Sequence, residues 1–213
     1  RDLPPFLALS GGEAEAAPGR AQAGDWVVAR LLEQASGRDL PQVELVRRLG
    51  REGNVAADLK AVVREYDLPP VYTAVTEQQA AAVEPLAVSR EDCRDLLTVT
   101  IDPPDAKDFD DALSVSPGPR PGQYLVGVHI ADVACYVPSG SRLDRGARAR
   151  GFTSYLPGLT LPMLPRILAA ERCSLREGED RPAHSVFLVI DAATGEVLSH
   201  RRVHATIRVD QRL

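Results

Sequence analysis

The hydrophobic pattern divides the chain into three stretches. Over residues 1–53, short apolar runs alternate with small and polar residues. "GDWVVARLLE" follows a Gly-Asp turn and "PQVELVRRLG" runs to Gly50, which predicts two strands, with "GGEAEAAPGR" and "QASGRD" as loops. Short strands between such loops predict part of a small barrel of OB type. At Asn54 the period changes. Val55, Leu59, Val62, Val63 and Tyr66 recur at i, i+4, i+7, i+8 and i+11, which predicts a helix capped by Asn54 and stopped at "DLPP". A second helix is predicted through "TEQQAAAVEPLA" with Thr76 as its cap. "SREDCRDL" has the spacing of a capping box and predicts a short turn. Residues 54–95 therefore read as a helical linker.

From Leu96 onward the pattern is mostly strand. "LLTVTI" and "DALSVS" flank an acidic loop, "PGPRPGQ" is a turn, and "YLVGVHIADVACYV" is one long strand or two. "SRLDRGARARG" predicts a helix, and "HSVFLVIDAATGEVLSHRRVHATIRV" a hairpin turning at residues 193–195. Residues 96–213 are thus expected to form an α+β domain with an antiparallel sheet. No internal repeat interrupts them.

Composition narrows the function classes. With 213 residues, 44% of them hydrophobic and 26% charged, the chain can bury a sizeable core. A net charge of −5 argues against a purely electrostatic nucleic-acid binder. It leaves room for a nucleic-acid enzyme, whose metal site needs acids and whose groove needs only a local basic strip. Among 25 basic residues only Lys60 and Lys107 are lysines. Arginine is the better planar phosphate ligand, although a genome-wide bias produces the same count. Cys93, Cys135 and Cys173 are scattered without a Cys-x-x-Cys, as reduced thiols of a cytoplasmic protein would be. No apolar run approaches the length of a membrane span and no signal peptide opens the chain, so no membrane partner is expected. The start at Arg1 and the end at "DQRL" lead us to expect a piece of a longer protein.

The chemistry concentrates in "TIDPPDAKDFDDAL", where Asp102, Asp105, Asp108, Asp110 and Asp111 surround a Pro-Pro pair. Proline holds Asp102 in extended geometry at the end of its strand. A loop folding back from there could bring three or four carboxylates to one point. An EF-hand is ruled out, since the sixth position from Asp102 is Lys107 instead of Gly and the twelfth is Leu113 instead of Glu. No His or Cys lies close in sequence, which disfavours zinc and iron. Mg²⁺ remains, with Mn²⁺ as its substitute, in the manner of phosphoryl-transfer and nuclease sites. On residues alone, a solvated acidic turn stays open beside that reading.

The same loop, followed in order by "HIADV", "YLPG", "PMLP" and "CSL", resembles the first half of the RNB catalytic domain of the ribonuclease II/ribonuclease R family. The resemblance runs from about Leu97 to the last residue. It implies a processive 3′→5′ exoribonuclease that hydrolyses single-stranded RNA to 5′-nucleoside monophosphates with Mg²⁺. By residue-wise match it implies Asp102, Asp108, Asp110 and Asp111 as the acidic catalytic set. Asp102, Asp108 and Asp111 would hold metal, and Asp110 would be the acid tied most directly to cleavage. Asp105 occupies a variable position of the pattern. Tyr155 matches the aromatic residue that stacks on the 3′-terminal nucleotide. Residues 1–53 are similar, in layout more than in motif, to part of the cold-shock-type OB domain that precedes this catalytic domain. The family pattern also implies an Arg-rich segment and a Glu from the second half of the catalytic domain, and a C-terminal OB-type domain. None of these follows His204, so the chain alone is expected to degrade RNA poorly or not at all. A catalytically silent RNA-binding homologue is the alternative, and a structural metal-binding domain a third reading.

Other residues carry two readings each. Arg142, Arg145 and Arg148 share a helix face at i, i+3 and i+6, as a phosphate track or as a solvated face paired with Asp144. Arg148, Arg150 and Arg166 are the candidate RNA contacts. His129 reads as a hydrogen-bonded structural residue, and Asp132 as an orienting neighbour. His184, His200 and His204 have no metal-ligand spacing. Trp26 could stack a base or anchor a core.

Overall fold

The computed structural model describes residues 7–9, 21–32, 42–104, 106 and 108–213. The two loops expected at residues 11–20 and 34–39, and Asp105 and Lys107, lie outside the described residues. In chain order the strands are β1 (Leu7–Leu9), β2 (Asp25–Leu31), β3 (Gln42–Arg51), β4 (Glu91–Asp92), β5 (Thr98–Thr100) and β6 (Asp111–Pro117). They continue with β7 (Gln123–Ala131), β8 (Ser154–Leu156), β9 (Leu159–Leu161), β10 (Asp180–Asp191), β11 (Val197–Arg208) and β12 (Gln211–Arg212). The helices are α1 (Val55–Glu65), α2 (Ala74–Ala81) and α3 (Arg142–Arg150), with a separate 3-10 turn at Val133–Cys135 and a π-helical turn at Ile167–Arg172.

The chain forms two compact units. Residues 1–70 with the β8–β9 hairpin make the first, and residues 71–153 with 162–213 the second. In the first, β3 lies between β1, parallel to it, and β2, antiparallel to it. The expected strands are present, and among the described residues they form an open three-stranded sheet and no closed barrel. Asn54 caps α1 as predicted, its side-chain oxygen accepting from the N–H groups of Ala56 (3.1 Å) and Ala57 (3.2 Å). The buried face of α1 differs from the expected apolar stripe. Val55 and Tyr66 are both 67% exposed, and Ala57 is the buried residue. The reason is Gly50, whose φ of +136° and missing side chain let Ala57 approach, for a Cβ there would lie 2.7 Å from that of Ala57.

In the second unit seven strands run in the order β12-β5-β6-β7-β10-β11-β4. The five central strands pair antiparallel, as expected, and a two-residue parallel strand closes each edge. Three local expectations are corrected. The segment "SREDCRDL" places Glu91 and Asp92 in the edge strand β4, because their backbone pairs with Ala205 and Thr206. Helix α2 is capped by Thr73, whose hydroxyl accepts from the N–H of Thr76, and it ends at Ala81 well before Pro85. Strand β7 stops at Ala131, where the chain turns into the 3-10 segment.

One face of this sheet is core. Ala112, Ala131, Ala183, Phe187, Ala205 and Ile207 pack there against Leu168, Leu175, Cys135 and Cys173. Within it sits a polar ladder. The His129 ring meets the hydroxyl of Ser114 at 2.9 Å through Nε2 and that of Ser185 at 2.8 Å through Nδ1. Burial depresses the imidazole pKa to about 4, so it is neutral and structural. At the end of β7, buried Asp132 accepts from Arg90 Nη2 at 2.7 Å and faces His204 Nδ1 at 3.4 Å. Burial pushes its carboxyl up, but the hydrogen bond and charge of Arg90, with His204 behind them, hold it below the usual range.

Candidate active site

The acidic loop leaves β5 and enters β6, and both ends are tied. The fully buried Thr98 and Thr100 anchor β5. Asp210, just before the partner strand β12, fixes its edge: the Asp210 N–H donates to the Thr98 carbonyl at 2.8 Å, and the Thr98 N–H to Asp210 Oδ2 at 2.8 Å. One residue past that pairing, the Leu213 N–H donates to the Thr100 carbonyl at 2.9 Å. The prolines then keep Asp102 extended, and the Pro103 carbonyl accepts both the Ala106 N–H at 3.0 Å and the Arg212 guanidinium. At the other end the Ala131 N–H donates to the Asp110 carbonyl at 2.9 Å, which starts the β6–β7 ladder one residue before Asp111.

Phe109, between two of the acids, is held at both backbone groups. Its N–H donates to Ser174 Oγ at 3.0 Å, and its carbonyl accepts from the Leu175 N–H at 2.8 Å. These two partners are the last residues of "CSL". Sequence reasoning marked that triplet as a motif without a role, and nothing in its pattern points to the loop it contacts.

Asp102 and Asp108 are half-buried, and Asp110 and Asp111 keep their access to solvent. The four share one electrostatic neighbourhood. Although Asp110 reaches solvent, partial desolvation by the protein around it raises its pKa first, and the negative charges of Asp108, Asp111 and Asp102 raise it further. Oδ2 of Asp102 is shielded from water and has no hydrogen-bond donor among the described residues. A shielded carboxylate oxygen without a donor is costly, and a hard cation is the partner that oxygen donors of this kind accept. The residues present therefore fit a divalent ion of the Mg²⁺ type. Among the described residues, no three His, Cys, Asp or Glu side chains converge closely enough to hold a metal ion as they stand.

The other candidates lie elsewhere in the two units. Tyr155 is on β8 of the first unit, 69% exposed. Arg145 Nη1 donates to the Gly140 carbonyl at 2.6 Å, and Arg148 Nε to the Asp144 carboxylate at 3.0 Å. Arg142 reaches Gln79 Oε1 at 3.5 Å, so each member of the expected phosphate track has a local partner. Arg150 stacks its guanidinium 3.8 Å from the centre of the Tyr72 ring and donates to the Pro162 carbonyl at 3.2 Å. Arg166 is exposed at the start of the π-helical turn. Its N–H and that of Ile167 donate to the Glu77 carboxylate at 2.9 and 3.1 Å. Trp26, 39% exposed, donates from Nε1 to Asp58 Oδ1 at 2.7 Å, which ties β2 to α1. No described helix is long and apolar enough to cross a membrane.

The family model described as RNB domain matches residues 90–213, and that described as cold shock domain matches residues 14–73. Ribonuclease R of Thermotoga maritima is 40% identical over 194 residues, covering 88% of this chain and 27% of the relative. Exoribonuclease 2 of Sodalis glossinidius is 37% identical, covering 76% of this chain and 25% of the relative. The chain thus spans about a quarter of the length of the curated relatives it matches. RNase R of Mycoplasma genitalium in complex with double-stranded RNA superimposes with a TM-score of 0.82 at 26% identity, covering 98% of this chain and 37% of that one. Yeast Ssd1, a pseudonuclease, superimposes with a TM-score of 0.71 at 21% identity, over 90% of this chain and 25% of that one, and shows the fold alone. With the RNB model covering more than half of its residues, the chain belongs to the RNB-domain family of ribonuclease II/ribonuclease R.

Proposed function

We propose that this chain carries the acidic part of the active site of a divalent-metal-dependent exoribonuclease. That enzyme hydrolyses single-stranded RNA from the 3′ end to 5′-nucleoside monophosphates. The observation that carries the reading is the shielded, undonated Asp102 Oδ2, in a loop where the charges of Asp102, Asp108 and Asp111 all act on Asp110, in a chain of the RNB-domain family. Asp102, Asp108 and Asp111 would hold the ion, Mg²⁺ in the first place and Mn²⁺ as its substitute. When bound, the ion polarises the phosphodiester and lowers the pKa of a water. Asp110 handles the proton of the attacking water. Tyr155 stacks on the terminal base, and Arg148, Arg150 and Arg166 contact RNA phosphates.

The same proposal divides the chain into an OB-like RNA-binding part at 1–53, a helical linker at 54–95 and the first half of the catalytic domain at 96–213. It places the protein in the cytoplasm. Because the relatives are about three times as long, further cationic and acidic residues and a C-terminal RNA-binding domain complete the enzyme.

The test uses a 5′-labelled oligoadenylate with Mg²⁺ and the protein extended to the length of its relatives. The label should shorten progressively from the 3′ end while 5′-AMP accumulates, and the Asp110→Asn variant should bind RNA without cutting it. A silent homologue would bind and never cut. Endonucleolytic fragments, or cutting unaffected by EDTA, would refute the proposal.

A further inference from the structure

Phe109 stands between Asp108 and Asp110, and three of its groups are held from outside the loop. Its N–H and carbonyl are taken by Ser174 Oγ and the Leu175 N–H. Its ring lies 4.7 Å under the guanidinium of Arg212. Ser174 is fully buried, and its own carbonyl accepts from Arg181 Nε at 3.0 Å, which holds the backbone that carries the hydroxyl. Arg212 is equally constrained. Its N–H donates to Glu177 Oε2 at 3.3 Å, and its guanidinium also reaches the Pro103 carbonyl.

Arg212 therefore touches both arms of the acidic loop: Pro103, next to Asp102, and Phe109, next to Asp108 and Asp110. Mutual repulsion of the carboxylates pushes these arms apart. Two hydrogen bonds at one residue fix the backbone from which the flanking acids project. A planar cation stacked on one arm and bonded to the other opposes their separation.

We propose that Ser174 and Arg212 are positioning residues that hold Asp102, Asp108, Asp110 and Asp111 towards one divalent cation. This rests on the metal-dependent reading above. Groups that orient metal ligands without touching the metal change affinity by about 10- to 100-fold. A mere counter-charge would act with the opposite sign, since removing Arg212 would then leave the acids more attractive to a cation.

The test titrates the protein extended to the length of its relatives with Mn²⁺, following free Mn²⁺ by electron paramagnetic resonance, with urea melts in parallel. Ser174→Ala and Arg212→Met should each weaken Mn²⁺ binding by about tenfold. Ser174→Thr, which keeps the hydroxyl, should restore most of it. Ser185→Ala supplies the structural control. It removes a hydroxyl as deeply buried, bonded to His129 and remote in sequence from the loop, and should lower the urea midpoint with Mn²⁺ affinity unchanged. Should Ser174→Ala not fold, Arg212→Met at the sheet edge decides the matter. Unchanged affinity in both variants, or tighter binding in Arg212→Met, would overturn the proposal while leaving the metal site intact. A wild-type protein that takes up no Mn²⁺ would overturn the metal reading itself.

Discussion

Gly127 shows how single residues decide the interior of the second unit. Its backbone is ordinary extended strand, so conformational freedom does not explain it. A Cβ there would lie 2.4 Å from Ser114 Oγ and 2.7 Å from His129 Nε2, inside the hydrogen bond those two make. Gly127→Ala must therefore separate the pair or shift two strands, and should cost about 1–3 kcal/mol as overpacking does. Urea denaturation of the two proteins checks this. His129 adds a pH dependence. Its pKa falls from 6.5 to about 4 on folding, so between those values the unfolded chain binds the proton more readily. Stability is fully present above pH 6.5 and is lost as pH falls towards about 4, with a slope of up to about 1.4 kcal/mol per pH unit. The difference in urea midpoint between wild type and His129→Gln, followed from pH 7.5 to about 4.5, should shrink by that amount. A parallel pair of curves would show the imidazole to be protonated or exposed in the folded state.

At the scale of elements, long periodic segments were legible and short tertiary ones were not. The hairpin β10–β11, helix α3 and helix α1 with its Asn54 cap follow from alternation, period and capping chemistry written in the residues themselves. Strands β4 and β12 have two residues each, and pair with partners more than a hundred residues away in sequence, so no local pattern marks them. The same holds for Arg90. Its place before β4 gives no hint that it enters the sheet end to meet Asp132 and the carbonyls of Ala183 and Ala205. Because Asp132 is buried and negative, Arg90→Met strands a charge, which should cost about 3–5 kcal/mol. Adding Asp132→Asn to that variant should recover part of the loss, because the stranded charge is gone. Thermal denaturation of the single and double variants measures the coupling, and additive losses would mean that Arg90 only packs.

For the molecule as a whole, the acids were legible because the chemistry of a hard-cation site is carried by residue type and spacing. How their loop is tied was not legible, because it depends on Ser174, Leu175 and Arg212, which reach the loop from 65 to 109 residues away in sequence. This division has a thermodynamic consequence. A cation that binds the folded cluster and not the unfolded chain stabilises by mass action, about 2.7 kcal/mol at a free concentration a hundred times Kd. All four acids lie in the second unit, whereas α1 and the three-stranded sheet lie in the first. Calorimetry at constant ionic strength should therefore show Mg²⁺ or Mn²⁺ raising the transition of the second unit alone. EDTA should reverse the shift, and Asp102→Asn should abolish it while leaving the first unit's transition in place. An equal shift of both units, or one that survives Asp102→Asn, would mean that the ions act on general surface charge. The cluster would then be the solvated acidic turn that residue spacing alone left open.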